Sequence, residues 1–103
     1  MAKASRLKLQ EELETLLGVK HVYYQPPESL KIEYPAIIYS RDDIQRVSAN
    51  NTAYTLYNHY QVIVVDKRPD NPVIEKILEL PMSSFVRSYK ADNLYHDVTS
   101  LYY

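Results

Sequence analysis

The sequence contains no cysteine and no tryptophan, and only one glycine and one phenylalanine among its 103 residues. Without cysteine there is no disulfide framework, thiol nucleophile or thiolate zinc site. A P-loop, a dinucleotide fingerprint and a nucleophile elbow each need several glycines for tight turns or close backbone approach. With Gly18 alone, none of them can be built. A dominant charge is also missing: 12 basic against 13 acidic residues leaves a formal net charge of −1. That balance gives no electrostatic footprint for general duplex binding and leaves room only for a local basic patch. No apolar run approaches the roughly 18 residues that cross a bilayer, and the N-terminal residues lack the apolar core of a signal peptide. The expectation is a soluble chain of intracellular origin with no membrane partner.

What the sequence does hold is 46% hydrophobic residues, too many for a disordered tail. The length suits a single domain spanning 1–103 with one modest core. Eleven tyrosines stand against one Phe. A tyrosine pairs a large apolar ring with a polar tip, which suits positions that are half core and half interface. Composition therefore points away from an enzyme and away from any cofactor.

Leu9, Leu13, Leu16 and Leu17 recur at i, i+4, i+7 and i+8, which predicts an amphipathic helix over 5–17. Ser5 is placed to cap it, and Gly18 follows it where a left-handed residue is wanted. Its charges oppose the helix dipole, since Lys3, Arg6 and Lys8 precede Glu11, Glu12 and Glu14. Packing, not propensity, has to hold it. A short strand over 21–25 ends at Pro26 and Pro27. Asn71 and Pro72 announce a second helix over 72–80, with Val73, Ile74, Ile77 and Leu78 on its inner face. Strands over 84–90 and 94–102 follow as a C-terminal hairpin (84–102), turning at Ala91, Asp92 and Asn93. The order α-β-β-β-α-β-β predicts an α+β fold, an antiparallel or mixed β-sheet with two helices packed on it.

The middle of the chain predicts a long hairpin over 36–65. Ala36–Tyr39 and Tyr60–Val65 are apolar on both faces, and the polar stretch between them centres on Asn50 and Asn51. Pairing about that centre sets Ile37 against Val64, Tyr39 against Val62 and Arg41 against Tyr60. Farther out it sets Asp43 against Asn58, Ile44 against Tyr57 and Val47 against Tyr54. Asn tolerates positive φ, so Asn50 and Asn51 can turn without glycine. Strands of about twelve residues run near 40 Å, roughly three times a domain's radius of gyration of about 13 Å. The base can pack in the core, and the outer half is expected to project as an arm. Exposed strand edges invite pairing with another chain. Ile44, Val47, Tyr54, Leu56 and Tyr57, with Tyr102 and Tyr103, are the expected subunit-interface residues.

The titratable residues offer little chemistry. His21, His59 and His96 have no metal-ligand spacing, so no metal is expected. His96 with Asp97, and Asp42 with Asp43, are neighbours in strands and point to opposite faces, which suits neither catalysis nor a shared cation. Tyr39, Arg41, Arg87, Tyr89 and Lys90 form an alternative surface, a single-stranded nucleic-acid module that stacks bases and contacts phosphates.

The word order Tyr34-Pro35-Ala36-Ile37, Tyr60-Gln61-Val62, Asp66-Lys67-Arg68-Pro69-Asp70 and Asp92-Asn93-Leu94-Tyr95-His96-Asp97 resembles small structural proteins of the head–tail module of tailed phages and prophages of Gram-positive bacteria. It is most similar to tail-terminator (tail-completion) proteins, over about 22–103. The resemblance implies an α+β subunit of a homo-oligomeric ring, expected to be a hexamer. The ring would lie at the head-proximal end of the virion tail, capping the major tail tube protein and meeting head-side connector proteins, with DNA only passing through its lumen. Head-completion or stopper proteins are the alternative within the same module. A ring subunit needs two different, mutually complementary surfaces, and a hairpin adding to a neighbour's sheet edge supplies one route.

Overall fold

A computed structural model describes residues 6–49 and 53–103, with the backbone alone for 45–49 and 53–57. The elements follow the expected order: α1 (Arg6–Leu17), β1 (Val22–Tyr24), β2 (Ala36–Ala49), β3 (Ala53–Asp66), α2 (Val73–Leu78), β4 (Ser83–Ala91) and β5 (Leu94–Tyr102). The strands form one sheet in the order β1-β2-β3-β5-β4. β1 runs parallel to β2, while β2–β3, β3–β5 and β5–β4 are antiparallel. The fold is thus α+β with a mixed sheet.

The leucine stripe of α1 does what its spacing requires. Leu9 and Leu13 are fully buried, and Leu16 and Leu17 pack against the same core. Ser5, the expected cap, lies outside the described residues. Gly18 has φ +87 and donates its N–H to Glu14 O at 2.9 Å, closing the helix in the left-handed conformation that glycine adopts without a Cβ clash. With α1 and α2 on one face, the sheet contributes Val22, Ile37, Tyr39, Tyr60, Val62, Val64 and Leu101 to the core, and the helices add Leu9, Leu13, Val73 and Ile77. Ala36, Val65 and Val98 are buried on the opposite face, as expected of strands apolar on both sides.

The second helix departs from expectation at its end. Asn71 Oδ1 accepts the Val73 N–H at 2.9 Å, so the capping residue is the one the sequence indicates. The helix stops at Leu78, however, and not at 80. Glu79 and Leu80 donate to Lys76 O and Ile77 O, i→i+3 bonds that tighten the last turn ahead of Pro81. Leu78 is 38% exposed and leaves the buried face, which narrows to Val73 and Ile77 with Ile74 packed beside them.

In the β2–β3 ladder, Ile37↔Val64, Tyr39↔Val62 and Arg41↔Tyr60 pair as expected. Beyond Arg41 the register moves by one, because Asp42 is an extra residue opposite the Arg41–Asp43 step, a β-bulge. Asp43 then meets His59 and not Asn58, Ile44 meets Asn58 and not Tyr57, and Val47 meets Thr55 and not Tyr54. The ladder continues to Ala49↔Ala53, and the expected turn at Asn50 and Asn51 lies outside the described residues. The C-terminal turn is Asp92-Asn93, both at positive φ (53° and 61°), the two-residue type I′ geometry that matches strand twist.

Candidate functional site

Sheet order leaves two strands on the rim, and they differ in how open they are. β1 has three residues, and Gln10 of α1 donates to Val22 O at 2.9 Å, so its backbone is partly engaged. β4 has nine residues, and among the described residues no strand lies on its outer side. From Ser84 to Lys90 every β4 side chain is exposed. Apolar residues are included: Phe85 is 49% and Val86 53% exposed, and Met82 just before the strand is 55% exposed. Val86 is itself a bulge, since Phe85 pairs with Thr99 and Arg87 with Val98.

Bulges and charged residues are how natural edge strands limit indiscriminate pairing, and β4 has both. Its charges are all positive, Arg87 and Lys90. Arg87 lies over the Tyr89 ring at 5.3 Å, and Lys90 Nζ lies 5.1 Å from the Tyr95 centroid on the other face. Tyr89 stacks on His96 with centroids 4.6 Å apart and planes 6° from parallel.

A second open edge runs along the outer part of the β2–β3 ladder. β1 pairs with β2 only at Ile37–Tyr39, and β5 pairs with β3 only from His59 inward. Among the described residues, 42–49 and 53–57 are therefore a two-stranded ladder with no third strand. Arg41, Asp42, Asp43 and Ile44 are all exposed at its root, Ile44 at 46%. The Asp42 carboxylate contacts His59 Nδ1 across the ladder, and the His59 ring rests on Tyr102 at 4.6 Å.

The expected interface residues divide accordingly. Val47, Tyr54, Leu56 and Tyr57 occupy the two-stranded region by register, and their side chains lie outside the described residues. Ile44 is exposed beside them. Tyr102 is half-buried against His59. Tyr103 pairs with Asn58 through both backbone groups (N to Asn58 O at 2.9 Å, Asn58 N to Tyr103 O at 3.3 Å). Burial and a hydrogen bond to Glu12 push the Tyr103 hydroxyl up to about 12.

Of the residues weighed for base stacking, Tyr39 is only 1% exposed. It rests in a core cluster with Tyr24 and Tyr60, its hydroxyl donating to Gln10 Oε1 and accepting from Arg6 at 3.3 Å. It offers no face to a base. His96 and Asp97 face opposite sides of the sheet, His96 toward Tyr89 and Asp97 accepting from Ser88 Oγ at 2.5 Å. Among the described residues no three metal-ligating side chains gather, and no helix is long and apolar enough to cross a membrane.

Sequence reasoning read Arg87, Tyr89 and Lys90 of β4 as a surface and missed its exposed apolar pair and open outer edge. The available signal was Phe85-Val86, two adjacent apolar residues in a strand otherwise written in Ser, Arg, Tyr and Lys. In comparison with known proteins, no family model and no curated protein sequence matches the chain.

Proposed function

We propose that this chain is a non-enzymatic virion structural protein. In this reading it is a ring-forming tail terminator, or head–tail joining subunit, that caps a phage tail tube and docks it to the head. The observation that carries the reading is the presence of two unlike open edges in one small subunit, β4 and the outer β2–β3 ladder. A ring assembled head to tail requires that each subunit offer two different surfaces to its neighbours. The segments that resemble tail terminators fit the same role as scaffold. Tyr34-Pro35 leads into β2, Tyr60-Gln61-Val62 lies in central β3, and Asp92-Asn93 makes the turn into β5. The expected partners are further copies of the chain, the major tail tube protein and head-side connectors, with DNA confined to the lumen.

The test is electron microscopy of the purified chain together with sedimentation over a wide concentration range. Closed rings with a central hole, growing in with concentration or on addition of tail tubes, are expected. A protein that stays monomeric at high concentration and leaves tubes uncapped ends the proposal.

A further inference from the structure

We propose that the outer edge of β4 is the acceptor for the outer part of β2 (42–49) of a second copy, added antiparallel so that two sheets become continuous. This rests on the ring reading and specifies its contact. Three observations favour this occupant. The two edges match in length, nine residues of β4 against eight in 42–49, and each lacks an outer strand among the described residues. They complement each other in charge at the root: β4 bears Arg87 and Lys90 and no acid, whereas the β2 segment 42–49 begins with Asp42 and Asp43 and carries one cation, Arg46, farther out. Both edges also expose apolar side chains at the contact, Phe85 and Val86 on one and Ile44 on the other.

Charge also argues against β4 pairing with itself. An isologous β4–β4 contact gathers four cations on one seam, and like charges across strands are destabilising. In the antiparallel register that sets Asp42 opposite Lys90, Ile44 falls opposite Ser88 and Asp43 lies diagonal to Arg87. Arg87 and Lys90 point to opposite faces, whereas Asp42, inside the bulge, and Asp43 both lie on the His59 side of the ladder, so the acidic root sits on one face of the seam, where it meets one of the two cations. Main-chain hydrogen bonds supply affinity in such strand addition, and the charges supply register.

A charge swap between two full-length variants tests this. Arg87→Glu/Lys90→Glu sets an acidic β4 against an acidic arm, and Asp42→Lys/Asp43→Lys sets a basic arm against a basic β4. Each alone should self-associate at least tenfold more weakly than the parent chain, and a one-to-one mixture should restore assembly, because both seams are then complementary. The chain has no cysteine, so a mixture of Ser88→Cys and Ile44→Cys gives a second measurement that leaves the charges intact. Oxidation should yield a disulfide between unlike copies. Parent rings without that disulfide, or mixtures that do not reassemble, overturn the β4–β2 contact and leave the ring reading standing. Disulfide-linked pairs that never close into rings overturn the ring reading and leave the contact. A disulfide between two Ser88→Cys copies shows the isologous seam and overturns the proposal.

Discussion

Asp42 reaches His59 from inside a β-bulge, one residue before the Asp43 that stands directly opposite that histidine. The pair lies where the β2–β3 ladder leaves the body of the five-stranded sheet. The Asp42 side chain is 49% exposed, so the contact is screened by solvent and contributes at most about 1 kcal/mol. Asp42→Ala should move the urea midpoint by no more than that, while amide exchange quickens selectively over 43–49. A global loss above about 2 kcal/mol would show that the bulge is braced by more than this contact.

Asn71 carries two bonds at once, accepting from Val73 N at 2.9 Å and donating to Asp66 Oδ2 at 2.7 Å, and it is buried. Asn71→Ala removes a helix cap and a charge-assisted bond, and should cost about 1–3 kcal/mol in chemical denaturation. Asn71→Asp retains the cap acceptor but faces the Asp66 carboxylate, and should fail to restore parental stability.

Adjacent residues of α2 separate packing from exposure. Ile77 is fully buried and Leu78 is 38% exposed. Ile77→Ala should cost about 2–5 kcal/mol through lost burial and a residual cavity, and Leu78→Ala no more than about 0.5 kcal/mol. Equal losses in thermal unfolding would mean that Leu78 is covered after all.

Three tyrosines should titrate late. Burial raises Tyr39 and Tyr60 above their ordinary value, and burial with the Glu12 hydrogen bond raises Tyr103 to about 12. The unfolded chain releases these protons near pH 10. Their contribution to stability is therefore complete below about pH 10 and is lost as pH rises toward 12, because the unfolded state then binds fewer protons than the folded one. Phenolate absorbance should show a late-ionising group, and Tyr103→Phe should remove one member of it at a cost of about 1 kcal/mol.

Much of this fold is written locally. The leucine spacing of α1, Gly18 after it, Asn71-Pro72 before α2 and Asp92-Asn93 between β4 and β5 each specify a backbone conformation within a few residues, and each is legible. The inner register of β2–β3 is legible too, since Ile37, Tyr39, Val62 and Val64 must share the helix-facing side. Partner choice is not local. Nothing in Val22–Tyr24 says that it lies parallel to β2, and the β4–β5 hairpin does not announce which of its strands meets β3. Only the better-buried set on β5 (Val98, Thr99 and Leu101) hints at it. The bulges at Asp42 and Val86 are single-residue insertions with no compositional signature, so the outer ladder register and the exposure of β4 emerge only in three dimensions. Of the candidate site, the open ladder was readable from strand length and the open β4 edge was not.

β5, the penultimate strand in the sheet order, comes after every other described strand in the chain, and its Thr99 hydroxyl donates to the carbonyl of Val62, 37 residues earlier in β3. As the polypeptide emerges from the ribosome, α1, the β2–β3 pair and α2 must wait with one flank of β3 bare until Tyr102 has been translated. Topologies closed by such distant pairings fold slowly, and bare strand flanks are aggregation-prone in the interval. Nascent copies produced side by side on one message therefore meet while that flank is still uncovered, and the speed of translation through the last strand sets how long mispairing has to compete.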